Sequence, residues 1–193
     1  MPRQILEFDD PDRFATGTVG EPGDRTFFLQ AVQGMRMASV ALEKAQVAIL
    51  ADRLLKVVDE LERRGLAALD AGAEADDERP LDEPLVEGFR VGTLMISWDE
   101  EIDRLVVEAR SMFPDEEEAG AASVVEDEDE IPDEAPIGPD VMRVRLTPTM
   151  ARRFARRAVR VVAAGRPPCP FCGEPLDRTG HLCPRRNGSE HIN

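Results

Sequence analysis

Apolar residues along this chain recur first with period two and then with period 3.6, and that switch happens twice. In the first pass, Phe14–Val19, Arg25–Gln33 and Arg36–Leu42 alternate as half-buried strands, with Glu21-Pro-Gly-Asp24 as a turn. The spacing then predicts a helix over 44–64, with Val47, Leu50, Ala51, Leu54, Val58 and Leu61 on one stripe. In the second pass, Phe89–Ser97, Ile102–Ser111 and Val141–Leu146 alternate, with a turn near Asp99–Glu100 and Trp98 packed at the hairpin tip. A second helix is predicted over 148–163, burying Ala151, Phe154, Ala155, Ala158 and Val162. Thr147 is a natural N-cap for it, with Pro148 at the first helical position. Gly65 and Gly165 are expected to end the two helices.

The two passes align on hydrophobic spacing: Val40 falls on Val144, Leu42 on Leu146, Leu50 on Phe154, Ala51 on Ala155 and Val58 on Val162. The reading is an α+β fold made of two antiparallel strand-meander-plus-helix repeats. Residues 1–65 form the first repeat, 66–85 an acidic linker, 86–165 the second repeat with an acidic insertion at 114–140, and 166–193 a separate tail. An initial strand at Gln4–Phe8 is expected to pair with the first repeat.

Charge changes this picture in two places. The chain of 193 residues has a net charge of −15, but the excess sits in 70–87 and above all in 114–140, which holds twelve acidic and no basic side chains. Like-charge blocks repel themselves and lack apolar surface to offset ordering entropy. Both acidic stretches are therefore expected to be flexible. Residues 141–193 carry eleven basic and three acidic groups, so overall acidity does not exclude nucleic acid. No apolar run is long enough to span a bilayer and the first residues carry no secretion signal, so a cytoplasmic location is expected.

The tail concentrates the chemistry. Cys169-Pro-Phe-Cys172, eight residues, then His181-Leu-Cys183 hold all three cysteines of the chain and one of its two histidines. Three thiolates and one imidazole complete a tetrahedral zinc set, and four protein ligands make it structural rather than catalytic. A disulfide or redox pair between Cys169 and Cys172 is the rival reading, and His191 is a substitute for His181. The second helix carries Arg152, Arg153, Arg156, Arg157 and Arg160 opposite its apolar stripe. Such a face is either simply solvated or an anion- and partner-binding surface, the absence of lysine favouring bidentate recognition.

The chain resembles an uncharacterised actinobacterial family, catalogued as domain of unknown function 3090. The resemblance rests on Phe14-Ala-Thr-Gly-Thr-Val-Gly20, Arg25-Thr-Phe-Phe-Leu29, Leu146-Thr-Pro148 and the tail from Cys169 to Gly188. It implies no activity. The doubled strands-then-helix outline is similar to PUR- and Whirly-type single-strand-binding folds, an analogy of architecture alone. Phosphate loops, nucleophile elbows and zinc-protease motifs are absent from the sequence, so an enzyme ranks last. The reading is a zinc-containing adaptor that docks a protein partner through the basic helix and zinc tail, with nucleic-acid binding second. Oligomeric state is not legible.

Overall fold

The structure is a computed structural model describing residues 3–70, 77–112, 123–125, 138–165, 169–173, 176, 181–183, 185 and 191–192; of 123–125, 181–182 and 191–192 it describes the backbone path alone. The elements run β1 (Ile5–Phe8), β2 (Arg13–Glu21), β3 (Asp24–Gln33), β4 (Arg36–Leu42), α1 (Lys44–Arg64), β5 (Glu87–Asp99), β6 (Arg104–Ser111), β7 (Ser123–Val125), β8 (Val141–Leu146), α2 (Pro148–Ala163), β9 (His181–Leu182) and β10 (His191–Ile192). Each helix follows a three-strand antiparallel meander, β2–β3–β4 or β5–β6–β8.

The helices form where their apolar periods say they should. Val47, Leu50, Ala51, Leu54, Val58 and Leu61 of α1 are all buried, as are Ala151, Phe154, Ala155 and Ala158 of α2. At the start of α1, Glu43 and Gln46 close a reciprocal capping box, the Glu43 amide donating to Gln46 Oε1 at 2.8 Å. The Gln46 amide in turn donates to the Val91 and Gly92 carbonyls, where β5 shifts register against β6. Gly65 ends α1 in the left-handed region at φ 71°. Thr147 caps α2, its hydroxyl accepting from the Met150 amide at 3.1 Å. The cap at the far end of α2 is Ala164, with φ −70°, rather than Gly165. No left-handed residue is required there, because the Arg25 guanidinium reaches across and donates to the Ala164 carbonyl at 2.5 Å.

The first eight strands join one sheet in the order β1-β8-β6-β5-β4-β3-β2, with β7 beside β5, and β9 pairs separately with β10. The two meanders meet edge to edge through parallel pairing of β4 with β5. The other outermost place goes to β1, which pairs in parallel with β8, Ile5 opposite Val141 through Phe8 opposite Val144. This corrects the expectation that the first strand pairs with the first meander. The one open edge of the first meander, that of β2, is met by α2 through Arg157 at the Thr16 carbonyl, whereas β8 offers a vacant ladder.

That order forces curvature. Seven flat strands about 4.8 Å apart would separate β1 from β2 by about 29 Å. The four residues Asp9–Asp12 that join them reach at most about 18 Å. The sheet therefore curls until its ends approach. Arg36, at the start of β4, lies 5.2 Å over the Phe8 ring and donates to the Glu7 carbonyl at 2.9 Å, although three strands separate β4 from β1. The concave side holds the core. Phe14, Leu29, Val40, Leu94, Val107 and Val144 meet the apolar stripes of both helices there, and the Phe14 and Phe154 rings stand 4.5 Å apart.

The segment expected to be a flexible acidic linker is anchored wherever it is described. The Asp70 amide donates to Thr149 Oγ1 at 2.9 Å. Residues 77–85 then run over the convex face of β2 and β3 as a strap. The Asp82 amide and carbonyl both bond the Gln30 side chain, at 2.8 and 3.0 Å, and Arg13 bonds Asp77, Asp82 and the Arg79 carbonyl. Composition alone missed this because the strap's countercharge lies 64 residues away, on β2. Of the acidic insertion, 114–122 and 126–137 lie outside the described residues. Ser123–Val125 within it is not loop but β7, paired in parallel with Thr93–Met95.

Candidate metal centre and the arginine helix

The tail folds back at Cys169-Pro-Phe-Cys172, and the Gly173 amide donates to the Cys169 carbonyl at 2.9 Å. Gly173 adopts φ 80°, which glycine reaches without strain, and it turns the chain so that both cysteines face one point. Cys183 arrives from the end of β9. The three sulfurs lie within 4.8 Å of one another, with Cys169 Sγ and Cys183 Sγ 3.8 Å apart. Metal–sulfur bonds of about 2.3 Å in a tetrahedron imply sulfur–sulfur edges of about 3.8 Å, which the Cys169–Cys183 pair matches, and the trio is close enough that it could hold one ion. Cys169 and Cys183 are buried, Cys172 is half-buried, and none of the three is in a disulfide. His181 belongs to β9, its backbone paired opposite Ile192 of β10, while His191 pairs opposite Leu182. Both imidazoles lie outside the described side chains. This is the one cluster of metal-holding side chains among the described residues.

The five arginines of α2 do not share one outward face. Arg157 is buried: its Nε donates to the Thr16 carbonyl on the open edge of β2 and its Nη1 to the Asp77 carbonyl, both at 2.6 Å. Arg152 is paired with Asp59 and with Glu62 of α1, the latter at 2.7 Å. Arg153, Arg156 and Arg160 are half-buried. The reading of a single solvated stripe fails because α2 is gripped on both flanks, by α1 and by the edge of β2. A helical wheel shows the apolar face and gives no sign of partners on the polar one.

Two further charge networks went unseen in the sequence. In the first, Asp77 sits between Arg13 and Arg157. Burial alone would raise the Asp77 carboxyl, but its bond to Arg13 and the charges of Arg13 and Arg157 outweigh that and hold it below the usual carboxylate range. Burial pushes the Arg157 guanidinium down, with Asp77 opposing. In the second, Glu108 on β6 bonds Arg110 at 2.9 Å and Arg143 of β8 at 2.5 Å, and Arg143 continues to Glu7 of β1 at 3.0 Å. Burial opposes ionisation of Glu108 too, yet Arg143 and Arg110 together keep its carboxyl below the ordinary value. The available signal was the i, i+2 spacing of Glu108 and Arg110, and of Arg143 and Arg145, which puts each pair on one face of a strand.

A curled mixed sheet backed by two helices, with a cluster of three cysteines in the tail, defines a mixed α+β protein with a candidate metal site. The chain belongs to the family described as Protein of unknown function (DUF3090), whose model matches residues 6–183. No curated protein and no solved structure matches it. No described helix is long and apolar enough to cross a membrane.

Proposed function

We propose that this protein is a zinc-stabilised binding module that docks a protein partner through its tail. The sulfur geometry carries the reading: three cysteines lie close enough to share one ion, two of them are buried, and the Cys169–Cys183 separation of 3.8 Å matches a tetrahedral edge. His181, two residues before Cys183, is the fourth ligand by sequence. Phe171, in the turn between Cys169 and Cys172, is half exposed and supplies an apolar contact beside the ion. Intramolecular use of Arg152 and Arg157 removes two of the five arginines from contact with a partner, which moves the docking role from the helix toward the tail and weakens the case for phosphate-backbone binding. The doubled element order supports descent of both halves from one strands-then-helix unit, checked by superposing β2–β3–β4–α1 on β5–β6–β8–α2.

Metal analysis of the purified protein tests the first half of the proposal. One zinc per chain is expected, lost in Cys172→Ser, while the unfolding midpoint of the body stays unchanged because its apolar helix faces do not depend on the tail. A preparation without metal and with Cys169–Cys172 oxidised under reducing conditions overturns it. Capture from native lysate with and without nuclease tests the second half. Retention after nuclease that is lost in Phe171→Ser supports protein docking. Nuclease-sensitive capture, with oligonucleotide binding that falls steeply with salt, would replace it by nucleic-acid binding.

A further inference from the structure

The mouth of the curled sheet holds a cavity of about 450 Å³ between the β2–β3 turn, the first residue of α1 and the last turn of α2. Its walls include Pro22, Phe27, Val161 and Val162, and two cations face it, Arg25 and Lys44. No carboxylate lines it among the described residues. The adjoining groove on the other side of Arg25 differs: its cations Arg79 and Arg157 are already engaged with Asp77, and Glu78 and Glu83 also line it.

Three observations at the smaller cavity converge. Arg25 gives one nitrogen to the Ala164 carbonyl and has no carboxylate partner among the described residues, so its charge is not neutralised. A guanidinium on a cavity wall with no carboxylate beside it is available to an anion. Lys44 stands at the first position of α1, where the helix dipole disfavours a positive charge, and the one acidic group at that end, the Glu43 cap, is shared with Arg90. Lys44 Nζ nevertheless lies close over the end of α2, 3.5 Å from where a Cβ on Gly165 would stand. Two cations, one a planar fork and one a point charge, thus converge beside an apolar wall.

The geometry points to a small phosphomonoester as the ligand of this cavity, its phosphate held by Arg25 and Lys44 and its apolar or aromatic body against Phe27, Val161 and Val162. A dianion matches two cations with no opposing carboxylate, and the guanidinium fork and ammonium are complementary to phosphate oxygens. The site is separate from the tail cysteines and stands whether or not the tail docks a protein.

Isothermal titration of the full metal-loaded chain with phenyl phosphate, inorganic phosphate and benzyl alcohol tests this. Phenyl phosphate should bind saturably and more tightly than the other two, and Lys44→Gln should weaken it at least tenfold. Lys44→Gln removes a charge the helix dipole disfavours, so a merely structural Lys44 would leave thermal stability equal or raised and the titration unchanged. Arg25→Gln should also abolish binding, but it loosens the end of α2 as well, so Lys44→Gln decides. Failure to saturate by about 10 mM, tenfold weaker than a millimolar ligand, overturns the proposal. So does binding that Lys44→Gln leaves intact. Inorganic phosphate or benzyl alcohol binding as tightly as phenyl phosphate overturns the assigned ligand class.

Discussion

Glu108 shows how a single side chain can tie three strands together. Its carboxylate joins Arg110 on its own strand to Arg143 on β8, and Arg143 links on to Glu7 of β1. Removing one partner from a largely buried ion cluster leaves uncompensated charge, so Glu108→Ala should cost about 3 kcal/mol, read as a fall in the urea midpoint. The pH dependence follows from the direction of the shifts. Glu108 and Asp77 are both held below their unfolded values. Their stabilisation is therefore complete above the ordinary carboxylate pKa and is lost as pH falls through the depressed folded values. Urea midpoints measured from neutral pH down to about pH 3 should decline below about pH 4.5. Glu108→Gln should flatten part of that decline, and an unchanged slope would remove Glu108 from the account.

At the scale of elements, the strap is the informative case. Gly17 on β2 has no side chain, and a Cβ built there would meet Leu81 Cγ of the strap at 2.8 Å. Gly17→Ala should therefore lift residues 77–85 from the sheet at a cost of about 1–3 kcal/mol, seen as faster amide exchange confined to the strap. Arg13→Ala should do the same by releasing Asp77 and Asp82 together. The helices and most strands were legible beforehand because their periodicity is written locally: every α1 residue placed on the apolar stripe is buried. The tail cysteines were legible for the same reason, since ligand spacing lies within fifteen residues. The strap was not, because Asp, Glu, Pro and Gly read identically in a tethered segment and in a loose one. Only Arg13 and Gln30, far upstream, distinguish them.

For the whole molecule, the decisive fact is that the sheet's two ends are covalently joined by four residues. No local pattern encodes that. It emerges from strand order, which is why β1 was assigned to the wrong neighbour. Phe8 marks the junction, 1% exposed and covered by Arg36. Phe8→Ala should cost about 3–5 kcal/mol, more than its place in a four-residue edge strand suggests, measured by chemical denaturation. A smaller loss would mean the ends of the sheet hold together without it.

The pairing of β1 with β8 also orders events in time. The Gln4 amide bonds the Asp140 side chain across a separation of 136 residues, so β1, made long before β8, is among the last strands that can be satisfied. Contacts of such sequence distance slow folding, since loop closure must precede any gain. On a ribosome the first meander and α1 can assemble early, while β1 waits, unpaired, through the synthesis of everything up to β8. Nascent chains arrested before residue 141 should therefore keep β1 exposed to protease, and release of β8 from the exit tunnel should be the step that protects it.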